Sequence, residues 1–336
     1  MQPVAWEAKR KIAMDKVSSV AKKFPLRQGS RVPLDMETAL NFTAVLRPAP
    51  NTRRTIKRID VQSYASRAEL GVAAAADIAD ALRQKLLTQT AVRMVFAAAP
   101  SQADMLAELC AAQGVDWTRV TAFHMDEYIG LDPASSARFA NWLDACVFTR
   151  LPFAAVHRIT PEPDPEAEVR RYAERMNEAP IDFVCLGIGV NGHIAFNDPP
   201  VADFNDRLDV KIVELDEVCR QQQVDDGCFQ DLGSVPCRAV TLTVPRLMRA
   251  DRLFCVVPGA AKRDAVTGTL HGPLTTACPA SILRNHPACT LYLDKDSAAT
   301  VLSSSFTSLM TMMTFSFSTI LVVLTTYSSQ FSPRTI

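Results

Sequence analysis

The chain has 336 residues, 36 Lys and Arg balanced by 36 Asp and Glu, 48% hydrophobic residues and nine cysteines. That length can bury an ample core without disulfide or metal staples, and a net charge of zero excludes a fold that is basic throughout and grips nucleic acid. The hydrophobic fraction likewise excludes collagen-like and wholly disordered chains.

The charge is unevenly spread. Residues 1–58 hold 13 basic and 4 acidic side chains, residues 59–296 carry a net charge of −10, and beyond Asp296 the only charge is Arg334. Three segments follow: a basic extension (1–58), a folded region (59–296) and an uncharged tail (297–336). In the extension Trp6, Ile12, Val17, Val20 and Phe24 recur near helical spacing between lysines, and a weakly ordered, solvated segment is expected. Pro48, Pro50 and Asn51 read as a linker.

From there the pattern alternates. A helix is predicted over Ala68–Leu87, a strand over Ala91–Ala98, and a helix over Ser101–Gln113 with Ser101 as N-cap. A strand over Val120–Met125, a helix over Glu166–Asn177 and a strand over Ile181–Ile188 come next. Strands over Ala239–Val244 and Leu253–Val257, helical segments over Ala261–Leu270 and Ala280–Arg284, and a strand over Cys289–Leu293 complete the series. Apolar strands separated by helices imply an α/β fold: a three-layer, Rossmann-like arrangement around a largely parallel sheet, in a single catalytic domain over 59–296.

The tail, rich in Ser, Thr, Phe, Leu and Met, has the length of a membrane span of roughly 20 residues. Its longest aliphatic run is only Ile320–Leu324, and its composition resembles translated pyrimidine-rich DNA. It is expected to be disordered or artefactual rather than an anchor. The cysteines are odd in number and never spaced C-x-x-C, so neither a disulfide framework nor a zinc site is expected, and a reducing, cytoplasmic setting fits.

In parallel sheets ligands bind at the carboxyl ends of strands. Four such ends carry unusual residues. One runs Phe123-His124-Met125-Asp126-Glu127-Tyr128, an apolar strand leading into two acids. Carboxylates placed there are either paired or functional, or one of them caps a turn. A second is Gly187-Ile188-Gly189-Val190-Asn191-Gly192-His193, followed by Asn197-Asp198, where glycines permit close approach and a histidine is poised for acid–base work. The third, Ala99-Pro100-Ser101-Gln102, and the fourth, Pro258-Gly259-Ala260-Ala261-Lys262, are small-residue turns into helix starts, where free amides and a lysine favour a phosphate.

The segments FHMDEYIGL and GIGVNGHIAFNDPP, with VVPGAAK and ACPASILRNHP, strongly resemble the glucosamine-6-phosphate deaminase (isomerase) family, within the group that includes 6-phosphogluconolactonases. The resemblance covers roughly 59–296. It implies that Asp126 moves a proton between C2 and C1 of an opened aminosugar. It further implies that His193 opens the ring with Asn191 and Asp198 beside it, and that Lys262 and the Ser101 turn hold the sugar phosphate. Gln102, Glu127, Gly192 and Arg220 are expected near the substrate. Three departures stand out: Asn191 and Asp198 where better-known members have aspartate and glutamate, and no clear match for a second phosphate cation, for which Arg220 is the local candidate. The implied enzyme is an aldose–ketose isomerising deaminase of amino-sugar catabolism needing no metal or redox cofactor. Its partner is a small sugar phosphate, with no nucleic acid, no membrane and self-association left open. A lactonase-like sugar-phosphate hydrolase and a catalytically silent sugar-phosphate sensor remain alternatives.

Overall fold

The computed structural model describes residues 47–298; the helical pattern of residues 6–24 and the tail from 299 onward lie outside the described residues. The chain begins with a hairpin, β1 (Thr52–Ile56) and β2 (Ile59–Tyr64), which are antiparallel. There follow α1 (Arg67–Thr88), β3 (Val92–Phe96), α2 (Ala103–Ala111), β4 (Val120–His124), β5 (Asp126–Tyr128), α3 (Phe139–Leu143), β6 (Ala155–His157), α4 (Pro165–Asn177) and β7 (Phe183–Leu186). The last part holds β8 (Val210–Glu214), α5 (Glu217–Asp225), β9 (Arg238–Leu242), α6 (Val244–Met248), β10 (Arg252–Val257), α7 (Arg263–His271) and β11 (Cys289–Asp294).

Eight strands form one sheet in the order β1-β2-β11-β10-β7-β3-β4-β6, parallel except at β1. Successive residues of each strand alternate between two apolar layers, as a sheet covered on both faces requires. In β10, Leu253, Cys255 and Val257 face one layer with Leu247, Val266 and Leu283, while Phe254 and Val256 face the other with Leu70, Ile78 and Leu82 of α1. This is the three-layer α/β arrangement expected.

Three expectations need correction. Ordered structure starts before residue 59: β1 is a solvent-facing edge strand whose arginines read as part of a basic extension, and Arg53 pairs with Asp60 across the hairpin at 2.8 Å. The strand near Ala239–Val244 lies outside the parallel sheet; β9 is the middle of a small antiparallel sheet, β5-β9-β8. Ser101 does not cap a helix, since it sits in a 3₁₀ turn, Pro100–Gln102, ahead of α2.

Candidate active site

From β3 the chain moves outward to β4 and β6; from β7 it moves the other way, to β10 and β11. The switch point therefore falls between β7 and β3, where open α/β sheets place their ligand crevice. The four strand ends singled out in the sequence belong to β10, β7, β3 and β4, four neighbours in the sheet. Residues scattered over 160 positions of sequence are thereby gathered at one edge.

The loop after β7 is a frame for His193. Its own amides are spent within the loop and on α5: Gly189 N–H donates to the His193 carbonyl (2.9 Å), Gly192 N–H to the Gly189 carbonyl (3.0 Å), and Val190 N–H to Gln222 Oε1 on α5 (2.9 Å). His193 Nδ1 lies 2.8 Å from Asn191 Oδ1 and 2.9 Å from Asp198 Oδ1, and Asn191 Nδ2 donates to that same Asp198 oxygen at 3.0 Å. Two acceptors at Nδ1 assign it the proton, which leaves Nε2 as the basic nitrogen. Burial alone would raise Asp198, but its hydrogen bonds with His193 and Asn191 override this and hold the carboxyl below the usual range. The Asn191, His193 and Asp198 trio that the sequence singled out thus forms one hydrogen-bonded unit.

The imidazole packs directly on Gly189. A methyl group there would lie 2.1 Å from His193 Cε1 and 2.3 Å from each ring nitrogen, so no side chain is tolerated. Gly189→Ala is expected to destabilise the fold by about 1–3 kcal/mol through overpacking and to displace His193. Turnover should fall on the order of 10²-fold or more, the worth of a general acid–base group, while the protein remains folded. Thermal unfolding and steady-state rates check this; a fully active variant would show that His193 need not sit here.

Asp126 opens β5 and is held by antiparallel pairing with Thr241 of β9. It is buried, and its carboxyl is pushed well above the ordinary range by desolvation, then by Glu127 and Asp198. The influence of Asp198 places Asp126 within electrostatic reach of the His193 unit. Thr241 serves that unit too, since its hydroxyl accepts the Phe196 N–H at 3.1 Å. Ala195 adopts φ +48°, an unusual value that the tight Ile194–Asn197 bridge imposes on the same loop.

Lys262 lies in the 3₁₀ turn Ala260–Lys262 before α7. Gly259 opens the turn at φ +97°, and its N–H is held by both oxygens of Asp294 from the end of β11 (3.1 and 3.0 Å). The lysine is buried, its ammonium has no ion pair or hydrogen bond among the described residues, and burial lowers its proton affinity against the attraction of Asp226 and Cys219. An unpaired buried ammonium is costly unless an anion completes it. Ser101, half-buried after β3, has its oxygen within 3.9 Å of the position a Gly187 methyl would occupy, which puts it beside the glycine loop.

Four residues expected at the substrate serve the scaffold. Glu127 is fully buried and accepts the N–H groups of Tyr128 and Phe139 (both 3.0 Å) and of Ala140 (2.9 Å), capping α3. Gln102 is also fully buried and ties the β3 turn to β10 through the Val256 carbonyl (3.0 Å). Gly192, at φ +84°, gives its carbonyl to Ala280 N–H (2.8 Å) and leaves no room for a Cβ against Cys278 Sγ, so it seats the loop on the ACPASIL segment. Arg220 donates through Nη2 to the carbonyls of Leu232 (2.7 Å) and Val235 (2.9 Å), which ties that end of its guanidinium to a loop. None of these roles leaves a spacing signal, because each partner is distant in sequence or is a backbone group.

Burial pushes the Glu127 carboxyl up to about 7, and the amides with Arg138 offset only part of that. Between its ordinary 4.5 and about 7 the folded chain keeps a proton that the unfolded chain has released. The contribution of this group to stability therefore falls as pH rises through that window. Glu127→Gln cannot ionise and should flatten the fall of Tm between about pH 5 and 7; an unaltered slope would show that Glu127 titrates normally.

The sequence showed no clustered His/Cys/Asp metal set, but the fold builds one. His193, Asp198 and Cys219 each offer a donor atom within 4.8 Å of the others, all three buried. Cys219 arrives on α5, so no motif spacing announces it.

These features define a class: a Rossmann-like α/β protein with a buried acid–base cluster and an unpaired lysine gathered at its switch point. Comparison with known proteins narrows it. The family of glucosamine-6-phosphate isomerases and 6-phosphogluconolactonases matches residues 65–292, more than half of the chain, and the chain belongs to it. A glucosamine-6-phosphate deaminase of Listeria monocytogenes is 32% identical over 217 residues, 64% of this chain and 91% of the relative. The structure of a monomeric glucosamine-6-phosphate deaminase matches with a TM-score of 0.66 at 26% identity, over 71% of this chain and 98% of that one. A 6-phosphogluconolactonase of Thermotoga maritima shares the fold (TM-score 0.57, 18% identity, 70% of this chain and 99% of that one). A second family, described as a predicted membrane protein, matches residues 265–336. Its described part overlaps the first match and forms α7 and β11, and no helix among the described residues is long and apolar enough to cross a membrane.

Proposed function

We propose that the protein is an isomerising deaminase that converts glucosamine 6-phosphate and water into fructose 6-phosphate and ammonia. The observation that carries this reading is Asp126: a buried carboxyl of raised proton affinity, within electrostatic reach of the His193–Asp198 pair. Relatives named glucosamine-6-phosphate deaminase support it.

The phosphate sits against Lys262 and the Ser101 turn. His193 Nε2 takes the proton of the C1 hydroxyl and passes one to the ring oxygen, and the pyranose opens to the aldehyde. Asp126 then removes the C2 proton. A carbon acid needs a strong base, which burial supplies. The substrate's own C2 ammonium offsets the neighbouring carboxylates and favours the ionised form of Asp126 at that moment. The proton is returned to C1, giving an iminium at C2; water adds there and ammonia leaves. Every step is a proton transfer or an imine hydrolysis, so the chemistry calls for no metal or redox cofactor. Asn191 keeps His193 in its Nδ1–H tautomer without adding a second negative charge.

Lys262→Ala tests the substrate assignment. It should weaken use of glucosamine 6-phosphate by about 1.5–3 kcal/mol, the range for a hydrogen bond to a charged group, and leave phosphate-free glucosamine nearly untouched. Comparing kcat/KM for the two sugars decides the point. Equal losses would remove Lys262 from the phosphate site, and with it the sugar-phosphate reading.

A further inference from the structure

Cys219 has no part in the proposed reaction, yet α5 sets its thiol against Asp198 in the middle of the cluster. Asp198 is wholly buried. One of its oxygens is engaged by His193 and Asn191; Oδ2 receives no N–H or O–H, and the remaining donor to the carboxyl is the Cys219 thiol. A thiol is only a weak donor, so this buried carboxylate is under-satisfied. A cation would complete it.

We propose that His193 Nδ1, Asp198 Oδ2 and Cys219 Sγ form a binding site for a borderline transition-metal ion, Zn²⁺ or its spectroscopic substitute Co²⁺. One imidazole nitrogen, one carboxylate oxygen and one thiolate suit these ions, whereas Mg²⁺ and Ca²⁺ demand oxygen ligands throughout. Tetrahedral bonds of about 2.0–2.3 Å place ligand atoms about 3.3–3.8 Å apart. Each of the three residues already has a donor atom within 4.8 Å of the others, so closing on the ion takes side-chain shifts of about an ångström and no rebuilding of the fold. The charges also balance: a thiolate and a carboxylate neutralise a divalent ion, so the loaded site is buried without net charge.

A cysteine must give up its S–H proton before the sulfur can bind an ion. Binding forms the metal–sulfur bond and releases that proton to solvent. The imidazole gives up its Nδ1 proton to the ion's approach and carries one on Nε2 in its place, so one proton leaves per ion bound. The second consequence rests on the proposed reaction. With Nδ1 metallated and Nε2 protonated, His193 has no lone pair left for the C1 hydroxyl, and the loaded enzyme is switched off.

The test is a Co²⁺ titration of the full-length protein, read by absorption. One equivalent should give tetrahedral visible bands and a thiolate-to-cobalt charge-transfer band, with release of one proton. The charge-transfer band should vanish in Cys219→Ser, weaken in Asp198→Asn and persist in Cys237→Ser, which alters an exposed thiol. No charge-transfer band, or one unchanged in Cys219→Ser, overturns the site. Because the ion's own spectrum is the readout, this result stands apart from whether the sugar phosphate is turned over. Zn²⁺ should abolish wild-type turnover reversibly to chelation, with at least a tenfold higher concentration needed for Cys219→Ser. Full turnover with the site loaded would overturn the shared use of His193.

Discussion

Asp126→Asn is expected to abolish exchange of the substrate's C2 proton with solvent, even when an open-chain sugar is supplied. The amide is nearly isosteric, and the residue is held by pairing with Thr241, so the fold and the Lys262 turn should be undisturbed. What disappears is the base. Catalysis by such a group is worth about 10²–10⁴-fold, and because His193 is assigned to the C1 hydroxyl rather than to C2 the loss should sit at the upper end. Sugar-phosphate binding should survive, since the phosphate contacts lie elsewhere. Proton exchange followed by NMR, together with a binding titration of the variant, separates the two effects. Full C2 exchange in Asp126→Asn would end the isomerase reading.

His193→Gln should show the opposite dependence on substrate form. Ring opening requires a group that accepts the C1 hydroxyl proton and returns one to the ring oxygen, and the unprotonated Nε2 is placed to do this. Loss of that group should cost about 10²–10⁴-fold on the cyclic sugar and far less on an analogue that cannot cyclise. Equal losses on both substrates would mean that the roles of His193 and Asp126 are not separable. The Gln side chain also spares the Gly189 contact, so this variant isolates chemistry from the packing defect expected of Gly189→Ala.

The residues proposed to bear chemistry are legible because each follows an apolar strand: Asp126 after β4, His193 after β7, Lys262 after β10. Their convergence was not legible, since strand order is set by crossovers that a linear pattern does not encode. Ala239–Val244 shows the limit well. Its apolar run is right for a strand, but periodicity cannot say which sheet the strand joins, and it became the support for Asp126. Glu127 shows another limit. Adjacent residues on a strand point to opposite faces, so of two neighbouring acids one reaches the crevice and the other caps α3. Motif position suggests Arg220 and Gln102 for the substrate, whereas their bonds to backbone carbonyls exist only in the folded chain. Cys219 carries no signal in the sequence, because its nearness to His193 and Asp198 exists only in the folded chain.

The most direct measurement is to supply the wild-type protein with glucosamine 6-phosphate and, separately, with 6-phosphogluconolactone, and to quantify ammonia, fructose 6-phosphate and acid release. The account predicts ammonia and fructose 6-phosphate in equal amounts from the first and no acceleration of hydrolysis of the second. Lactone hydrolysis without ammonia release, or tight binding of the aminosugar phosphate with no product at all, would contradict it.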